Sequence, residues 1–156
     1  MIDELRSKLL GRVAVVGVGD SRNGDDGAGP MIAGLLADAG IDRVIDAGPS
    51  PELETWRLRE LTPRTVLFVD AVDFGGEPGD AALLEPEDLR SKGFDTHRAP
   101  LRLTMEYLER ELGADCYLVA VQPRDVKPGK AMCREVRQSS EALARVLSDE
   151  LRTREG

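Results

Sequence analysis

The sequence predicts an α/β fold in which helices cover both faces of a largely parallel sheet. Short, nearly continuous apolar runs rich in valine are typical of strands that are buried on both faces. Amphipathic segments alternate with these runs, and strands that alternate with helices favour a parallel sheet. The chain has 156 residues, of which 41% are hydrophobic. This length suffices for one core and is too short for two ordinary domains. We therefore expect one domain over residues 1–156.

Four apolar runs are predicted as strands. They cover residues 12–18, 43–48, 65–71 and 115–122. A fifth segment, residues 80–86, follows the turn sequence FGGEPGD and is predicted as an additional edge strand.

Helices are predicted between the strands from apolar residues at helical spacing. Segment 29–40 has such a face and ends at Gly40, a plausible C-cap. Ser50 followed by Pro51 predicts a cap and a first helical residue, for a helix that continues through Leu61. Two further amphipathic segments are residues 99–112 and 134–151.

Charge and composition exclude several classes of partner. The net charge of -8 opposes binding to nucleic acid or to anionic lipid, because both depend on clustered lysine and arginine. No run approaches the ~20 apolar residues of a spanning helix, and the N-terminal segment contains no apolar run of the length expected for a signal peptide. We expect a soluble, cytoplasmic protein. The two cysteines stand far apart, so neither a disulfide framework nor a zinc knuckle is indicated. Cys116 is expected in the core, and Cys133 against a neighbouring helix.

Polar residues follow the predicted strands where ligands bind in such sheets, beyond the carboxyl ends. The first strand leads to Asp20, Asp25 and Asp26, and the strand at residues 65–71 ends with Asp70. The single histidine, His97, lies in a later loop. Two carboxylates and one imidazole at this edge form an O,O,N donor set that suits a borderline divalent metal such as nickel or zinc. The alternatives are an ordinary polar strand end for Asp70 and an ordinary loop histidine for His97.

The glycine-rich loop GDSRNGDDGAG fits no phosphate-binding motif. Arg22 stands where a dinucleotide fingerprint has its third glycine, and Asp25 stands where a P-loop has its lysine. Three carboxylates would repel phosphate, so the loop suits a cation better. The alternative is that one aspartate of the Asp25–Asp26 pair caps the following helix while the glycines form turns. The loop alone does not separate these two interpretations.

Five separated motifs resemble those of a known family, the endopeptidases that mature nickel-iron hydrogenases. The motifs are GVGDSRNGDDGAGP, DAGPSPE, VDAVDFGGEPG, DTHRAPL and VQPRDV, in the family's order and over most of the chain. The likeness is greatest to the branch that processes the large subunit of hydrogenase 3.

The resemblance implies a fold, a site and a reaction. The fold is a three-layer sandwich with a twisted, mostly parallel sheet of about five strands. Asp26, Asp70 and His97 match the residues that form the family's metal-contacting catalytic site, whereas Asp25 is expected to cap or orient. The implied activity is that of an aspartic-type, nickel-dependent endopeptidase. It removes the C-terminal peptide from the precursor of the hydrogenase large subunit after nickel insertion.

The resemblance also implies that nickel is supplied by the precursor. No tightly bound organic cofactor is expected, and a monomer is expected because nothing in the sequence demands more. The alternative function is a non-proteolytic metal-binding or scaffold module of the hydrogenase maturation machinery. The glycines around Asp26 are expected to allow close approach of the substrate backbone. One position departs from the family pattern, because Asp20 stands where asparagine is usual. Its extra negative charge is expected to alter the metal affinity of the pocket or the pKa of Asp26.

Overall fold

Five strands form one sheet, as the sequence predicts. The computed structural model describes residues 1–92, Phe94 and residues 99–155. The strands are β1 (Val13–Val18), β2 (Val44–Gly48), β3 (Thr65–Ala71), β4 (Ala81–Leu84) and β5 (Asp115–Val121). Their order is β2-β1-β3-β5-β4, and all neighbours are parallel except the antiparallel pair β4 and β5. The predicted edge strand is therefore confirmed as β4.

Helices occupy both faces of the sheet, which confirms the three-layer α/β sandwich. They are α1 (Ile2–Lys8), α2 (Ala28–Asp38), α3 (Thr55–Leu61), α4 (Pro86–Ser91), α5 (Ala99–Leu112) and α6 (Arg134–Glu155). Two short 3-10 turns precede α2 and α3, at Gly24–Gly27 and Pro51–Glu54. No helix was predicted where the short helices α1 and α4 lie, and α4 begins at Pro86, the last residue of the predicted edge strand. In the described part of the chain, no helix has the length and apolar character that crossing a membrane requires.

The core has two parts because successive residues of a strand point to opposite faces of the sheet. Leu67 and Val69 of β3 pack with residues of α1, α2 and α6 on one face. Val66 and Phe68 of the same strand pack with residues of α3, α4 and α5 on the other face. Burial of each such side chain contributes roughly 1.5–3 kcal/mol. The two apolar layers hold the sheet rigidly between the helices.

The predicted helix ends are partly right. Helix α2 ends at Asp38, and Gly40 adopts a φ of +89°, which confirms it as the residue where the chain turns. Ser50 precedes the next helical segment, but its side chain makes no capping hydrogen bond. That segment starts as the 3-10 turn at Pro51 and becomes α-helical only at Thr55.

The strand order creates a crevice at the carboxyl edge of the sheet. From β1 the chain crosses by α2 to β2 on one side, and it then returns to β3 on the other side of β1. The gap between β1 and β3 is therefore the point where the direction of winding reverses. Ligands of open α/β sheets bind at such points.

Candidate active site

Gly29 brings the start of α2 into contact with the ends of β1 and β3. A Cβ atom at Gly29 would lie 2.2 Å from the carbonyl oxygen of Val18 and 2.4 Å from that of Val69. Any side chain here would push the helix away from both strands. Asp26 lies in the 3-10 turn just before this helix, and Asp70 follows Val69 in β3. Both predicted carboxylates therefore lie at the crevice between β1 and β3.

Asp26 is held by its own loop. Asp26 is only 4% exposed, and its Oδ2 accepts the backbone N–H of Asp20 at 2.9 Å. The loop folds back through Gly19, where φ is +147° and a Cβ would lie 2.0 Å from the carbonyl oxygen of Asp26. Only glycine tolerates this approach. The carboxylate is thereby fixed at the carboxyl end of β1.

Asp70 is a carboxylate inside the sheet. It is fully buried and its backbone pairs with Ala120 of β5. Strand alternation places Asp70 on the same face as Phe68, which is the face that carries α5. A buried ionisable group beside a crevice is typical of functional sites, because burial of a charge is unfavourable without a compensating role.

His97, the third predicted site residue, lies outside the described residues. It precedes α5 by two positions, and α5 packs on the face of the sheet that Asp70 occupies. Within the described ranges, no three acidic, histidine or cysteine side chains are grouped so that they could hold a metal ion. The predicted three-residue set requires His97, so it stays a prediction.

Asp25 is not one of the predicted metal-contacting residues, and its carboxylate accepts hydrogen bonds from the segment after β5, which is distant in the sequence. It is 1% exposed. Oδ2 accepts the backbone N–H groups of Arg124 at 2.7 Å and Asp125 at 3.1 Å, and Oδ1 accepts that of Cys133 at 2.7 Å. Burial alone would raise the pKa of Asp25, but these hydrogen bonds to the ionised form outweigh it and lower the pKa below its ordinary value. Asp25 is therefore an ionised structural group.

The capping interpretation of the aspartate pair is wrong. Gly27 occupies the N-cap position of α2, and no side chain caps that helix. Asp25 is engaged by the loop that follows β5, and an oxygen of Asp26 accepts the N–H of Asp20 in its own loop. A carboxylate committed to those donors does not turn toward the start of the helix.

The glycines around the pair serve contacts within the protein. Gly24 has a φ of +60°, and a Cβ there would lie 2.5 Å from the carbonyl oxygen of Asp125. The N–H of Asp25 donates to that same oxygen at 2.9 Å. The tight approaches at Gly24 and Gly29 are thus made to the chain itself. These contacts explain why glycine is needed at both positions, and they require no approach by the backbone of a substrate.

Cys133 is one of the residues that hold the Asp25 carboxylate, and we call Asp25 with its donors Arg124, Asp125 and Cys133 the clamp. Cys133 also packs against the core cluster that includes residues of α2 and α6, in keeping with the expectation that it lies against a neighbouring helix. It lies just before α6, and its Sγ contacts Oδ2 of Asp25 at 3.3 Å. Burial raises the pKa of the Cys133 thiol, and the negative charge of Asp25 raises it further. The protonated thiol is therefore favoured and serves as an additional donor. Cys116 lies in the core as predicted.

Gln122 fixes the loop between β3 and β4. Its Oε1 accepts the N–H groups of Phe74 at 2.9 Å and Gly76 at 3.0 Å, and its Nε2 donates to Oδ1 of Asp73 at 3.1 Å. Gln122 belongs to the motif VQPRDV, but no role is predicted for it from the sequence. Its position directly after an apolar strand is the signal that could have identified it, because a polar side chain there can reach the neighbouring loop.

Asp20 contacts Asp26 through its backbone N–H, which donates to Oδ2 of Asp26 at 2.9 Å. Its side-chain oxygens accept the N–H and the guanidinium of Arg22, with Oδ2 at 2.8 Å from the guanidinium nitrogen. The N–H that Asp20 donates to Asp26 would be equally available from asparagine. The extra charge is balanced by Arg22, so the altered metal affinity expected from Asp20 gains no support from the geometry.

A family model and several known proteins match this chain. The model described as HycI, hydrogenase maturation protease, matches residues 36–150. The chain belongs to the hydrogenase maturation protease family. The hydrogenase 3 maturation protease of Escherichia coli K12 is 39% identical over 109 residues, which cover 68% of this chain and 69% of that protein.

Solved structures of maturation proteases share the fold. The crystal structure of the [NiFe] hydrogenase maturation protease HycI from Thermococcus kodakarensis KOD1 is 27% identical with a TM-score of 0.88, covering 96% of this chain and 99% of that chain. The solution structure of the endopeptidase HycI from Escherichia coli is 30% identical with a TM-score of 0.78, covering 89% of this chain and 90% of that chain. Asp70 and His97 lie within the span that the family model matches, whereas Asp26 precedes it.

Proposed function

We propose that this maturation protease removes the C-terminal peptide from the precursor of a nickel-iron hydrogenase large subunit after nickel has been inserted. The observation that carries the proposal is the pair of buried carboxylates, Asp26 and Asp70, at the crevice between β1 and β3. Membership of the family supports the reaction class. The position of the carboxylates supports the place where the reaction occurs.

Nickel in this proposal belongs to the substrate. Asp26, Asp70 and His97 meet the ion that the cysteines of the precursor already hold. Two carboxylate oxygens and one imidazole nitrogen suit a borderline divalent ion. This contact positions the C-terminal tail in the crevice, so that an unloaded precursor binds without the correct register.

Hydrolysis requires a water molecule and a base beside the scissile carbonyl. A carboxylate of this pair accepts the proton of the attacking water, and the same carboxyl group then donates that proton to the leaving amine as the peptide bond breaks. Asp26 has a fixed orientation because the N–H of Asp20 holds one of its oxygens. A fixed base near a buried second carboxylate avoids reorganisation during the reaction.

The test compares nickel-loaded with nickel-free precursor. The purified protein is mixed with each, and release of the C-terminal peptide is followed by mass spectrometry. We expect cleavage of the loaded precursor only. Binding of the loaded precursor without any peptide release would instead identify a non-proteolytic module. Equal cleavage of both precursors would remove nickel from recognition.

Variants test the site assignment. His97→Ala and Asp70→Asn should each abolish cleavage, while circular dichroism shows that the proteins remain folded. Asp38→Asn is the matched control, because Asp38 is an exposed carboxylate at the end of α2. Undiminished cleavage by His97→Ala and Asp70→Asn would contradict the assignment.

A further inference from the structure

An acidic protein carries a local concentration of positive charge beside its candidate active site. Residues 124–137 contain five of the 21 basic residues and only two of the 29 acidic ones. The chain as a whole has a net charge of -8. This segment leads from β5 into α6 and therefore lies at the carboxyl edge of the sheet.

Four of the five positive residues of this segment, together with one from the loop after β1, form a surface on two loops that touch each other. We call this surface the basic strip. It comprises the exposed side chains of Arg22, Arg124, Lys127, Lys130 and Arg134. Gly129 donates its N–H to the carbonyl oxygen of Arg22 at 2.9 Å, and a Cβ at Gly24 would lie 3.3 Å from that of Lys130. Residues from two loops that are about 100 positions apart are thereby brought together.

Most of the positive charge on the basic strip is available to a partner. Arg22 pairs with Asp20 and Arg124 pairs with Glu135, but both arginine side chains are largely exposed, at 86% and 58%. Exposed pairs of this kind contribute little and are readily exchanged. Lys127 and Lys130 form no ion pair with any residue that the structure describes.

The basic strip is tied to the candidate site by one residue. Asp25 accepts the N–H groups of Arg124, Asp125 and Cys133, and its neighbour in sequence is Asp26. The clamp fixes the loop at both ends, from Arg124 to Cys133. The charges are thus presented on a preformed surface beside the crevice, which reduces the entropy lost on binding.

We propose that the basic strip is the docking surface for an acidic segment of the large-subunit precursor. This inference rests on the proposed function, since the precursor is the substrate there. A protein substrate contacts its protease over an area larger than the scissile bond, and complementary charge guides such contacts. The acidic remainder of the surface repels an acidic segment, so the strip directs the precursor to the edge where Asp26 and Asp70 lie.

The test reverses two charges of the strip and compares them with two reversed elsewhere. The variant is Lys127→Glu/Lys130→Glu, and the control is Arg110→Glu/Arg145→Glu. The control residues are exposed on α5 and α6 and lie outside the candidate site and the strip. Both variants change the net charge equally. Thermal unfolding should show that both remain folded.

We expect the strip variant to cleave the nickel-loaded precursor with kcat/KM reduced about tenfold at low salt. The reduction in kcat/KM should come from a higher KM, and kcat at saturation should be unchanged, because the strip touches no reacting atom. The difference in KM between the strip variant and the wild type should become smaller at ~0.5 M salt, where charges are strongly screened. The control should lose less than about twofold.

Other results would overturn the inference. Equal rates for the strip variant and the control, with an active wild type, would contradict the strip and leave the proposed function standing. RNA binding that the strip variant loses while processing is unchanged would assign the strip to nucleic acid instead. A wild type that leaves the loaded precursor uncleaved would contradict the proposed function and this inference with it.

Discussion

Asp25 and Asp26 are neighbours of the same residue type, yet they belong to two different regions of the molecule. Asp25 lies in the clamp between the loops after β1 and β5, and its donors are 99 to 108 residues away in the sequence. Asp26 lies at the crevice between β1 and β3, and the N–H it accepts is only six residues away. One carboxylate joins distant segments, while the other is oriented by its own loop beside Asp70.

This difference distinguishes a residue that stabilises the fold around the site from a residue that we propose to act in cleavage. The clamp requires an ionised carboxylate that is saturated by donors from the chain, and such a group is chemically inert. The crevice places its carboxylates, Asp26 and Asp70, at the edge of the sheet where ligands of open α/β folds bind. Variants of the two neighbours should therefore separate stability from activity.

Asp26→Asn should have the largest effect, and it should act on cleavage. We expect cleavage of the nickel-loaded precursor to fall at least about 100-fold, because asparagine neither accepts a proton nor carries negative charge. The amide oxygen can still accept the N–H of Asp20, so the free energy of unfolding should change by less than about 1 kcal/mol. Urea unfolding and single-turnover cleavage measure the two quantities. A variant that is unstable but active would reverse the roles assigned to the two regions.

Asp25→Ala should have the next effect, and it should act on stability. Three partly buried backbone N–H groups lose their acceptor, which lowers the free energy of unfolding by about 3 kcal/mol. Urea unfolding at neutral pH measures this loss. Asp38→Ala, which removes an exposed carboxylate, should stay within about 0.5 kcal/mol of the wild type. Equal stability of the two variants would show that the clamp contributes nothing.

Gly24→Ala tests the clamp from its backbone side. The positive φ of Gly24 and the 2.5 Å approach of its Cβ position to Asp125 both oppose a side chain. We expect a loss of about 2 kcal/mol. Gly34→Ala is the matched control, since Gly34 lies within α2 with nothing within 4 Å of its Cβ position. That control should stabilise the protein by about 0.5–1 kcal/mol. Thermal unfolding of both variants decides the comparison.

The smallest of these expected effects is the change in the free energy of unfolding with pH. The pKa of Asp25 is lowered in the folded protein. Ionisation of this carboxyl group therefore stabilises the fold at pH values above its ordinary pKa of 3.8. That contribution is lost as the pH falls through the lower folded value. The stability gap between the wild type and Asp25→Asn should therefore narrow below about pH 4. Unfolding free energies measured at pH 7 and pH 3 test this, and a gap that widens in acid would contradict it.

Much of the fold could be predicted from local pattern. The valine-rich runs identify β1 and β3 because strands buried on both faces need apolar side chains throughout. The short helices α1 and α4 escaped prediction, since each offers less than two turns of apolar spacing. Asp26 and Asp70 were predicted together because both follow strands whose carboxyl ends meet, and the structure places both residues at that edge of the sheet.

The sequence by itself determined the α/β class, the strands and the acidic character of the edge, because these depend on periodicity and on residues near one another in the chain. Only the tertiary structure decided that Asp25 holds the loop after β5 instead of capping α2. It also decided that Gln122 fixes a neighbouring loop and that the basic strip forms from two segments. Those roles depend on donors and charges that are distant in sequence and become neighbours only when the parallel sheet aligns the ends of its strands.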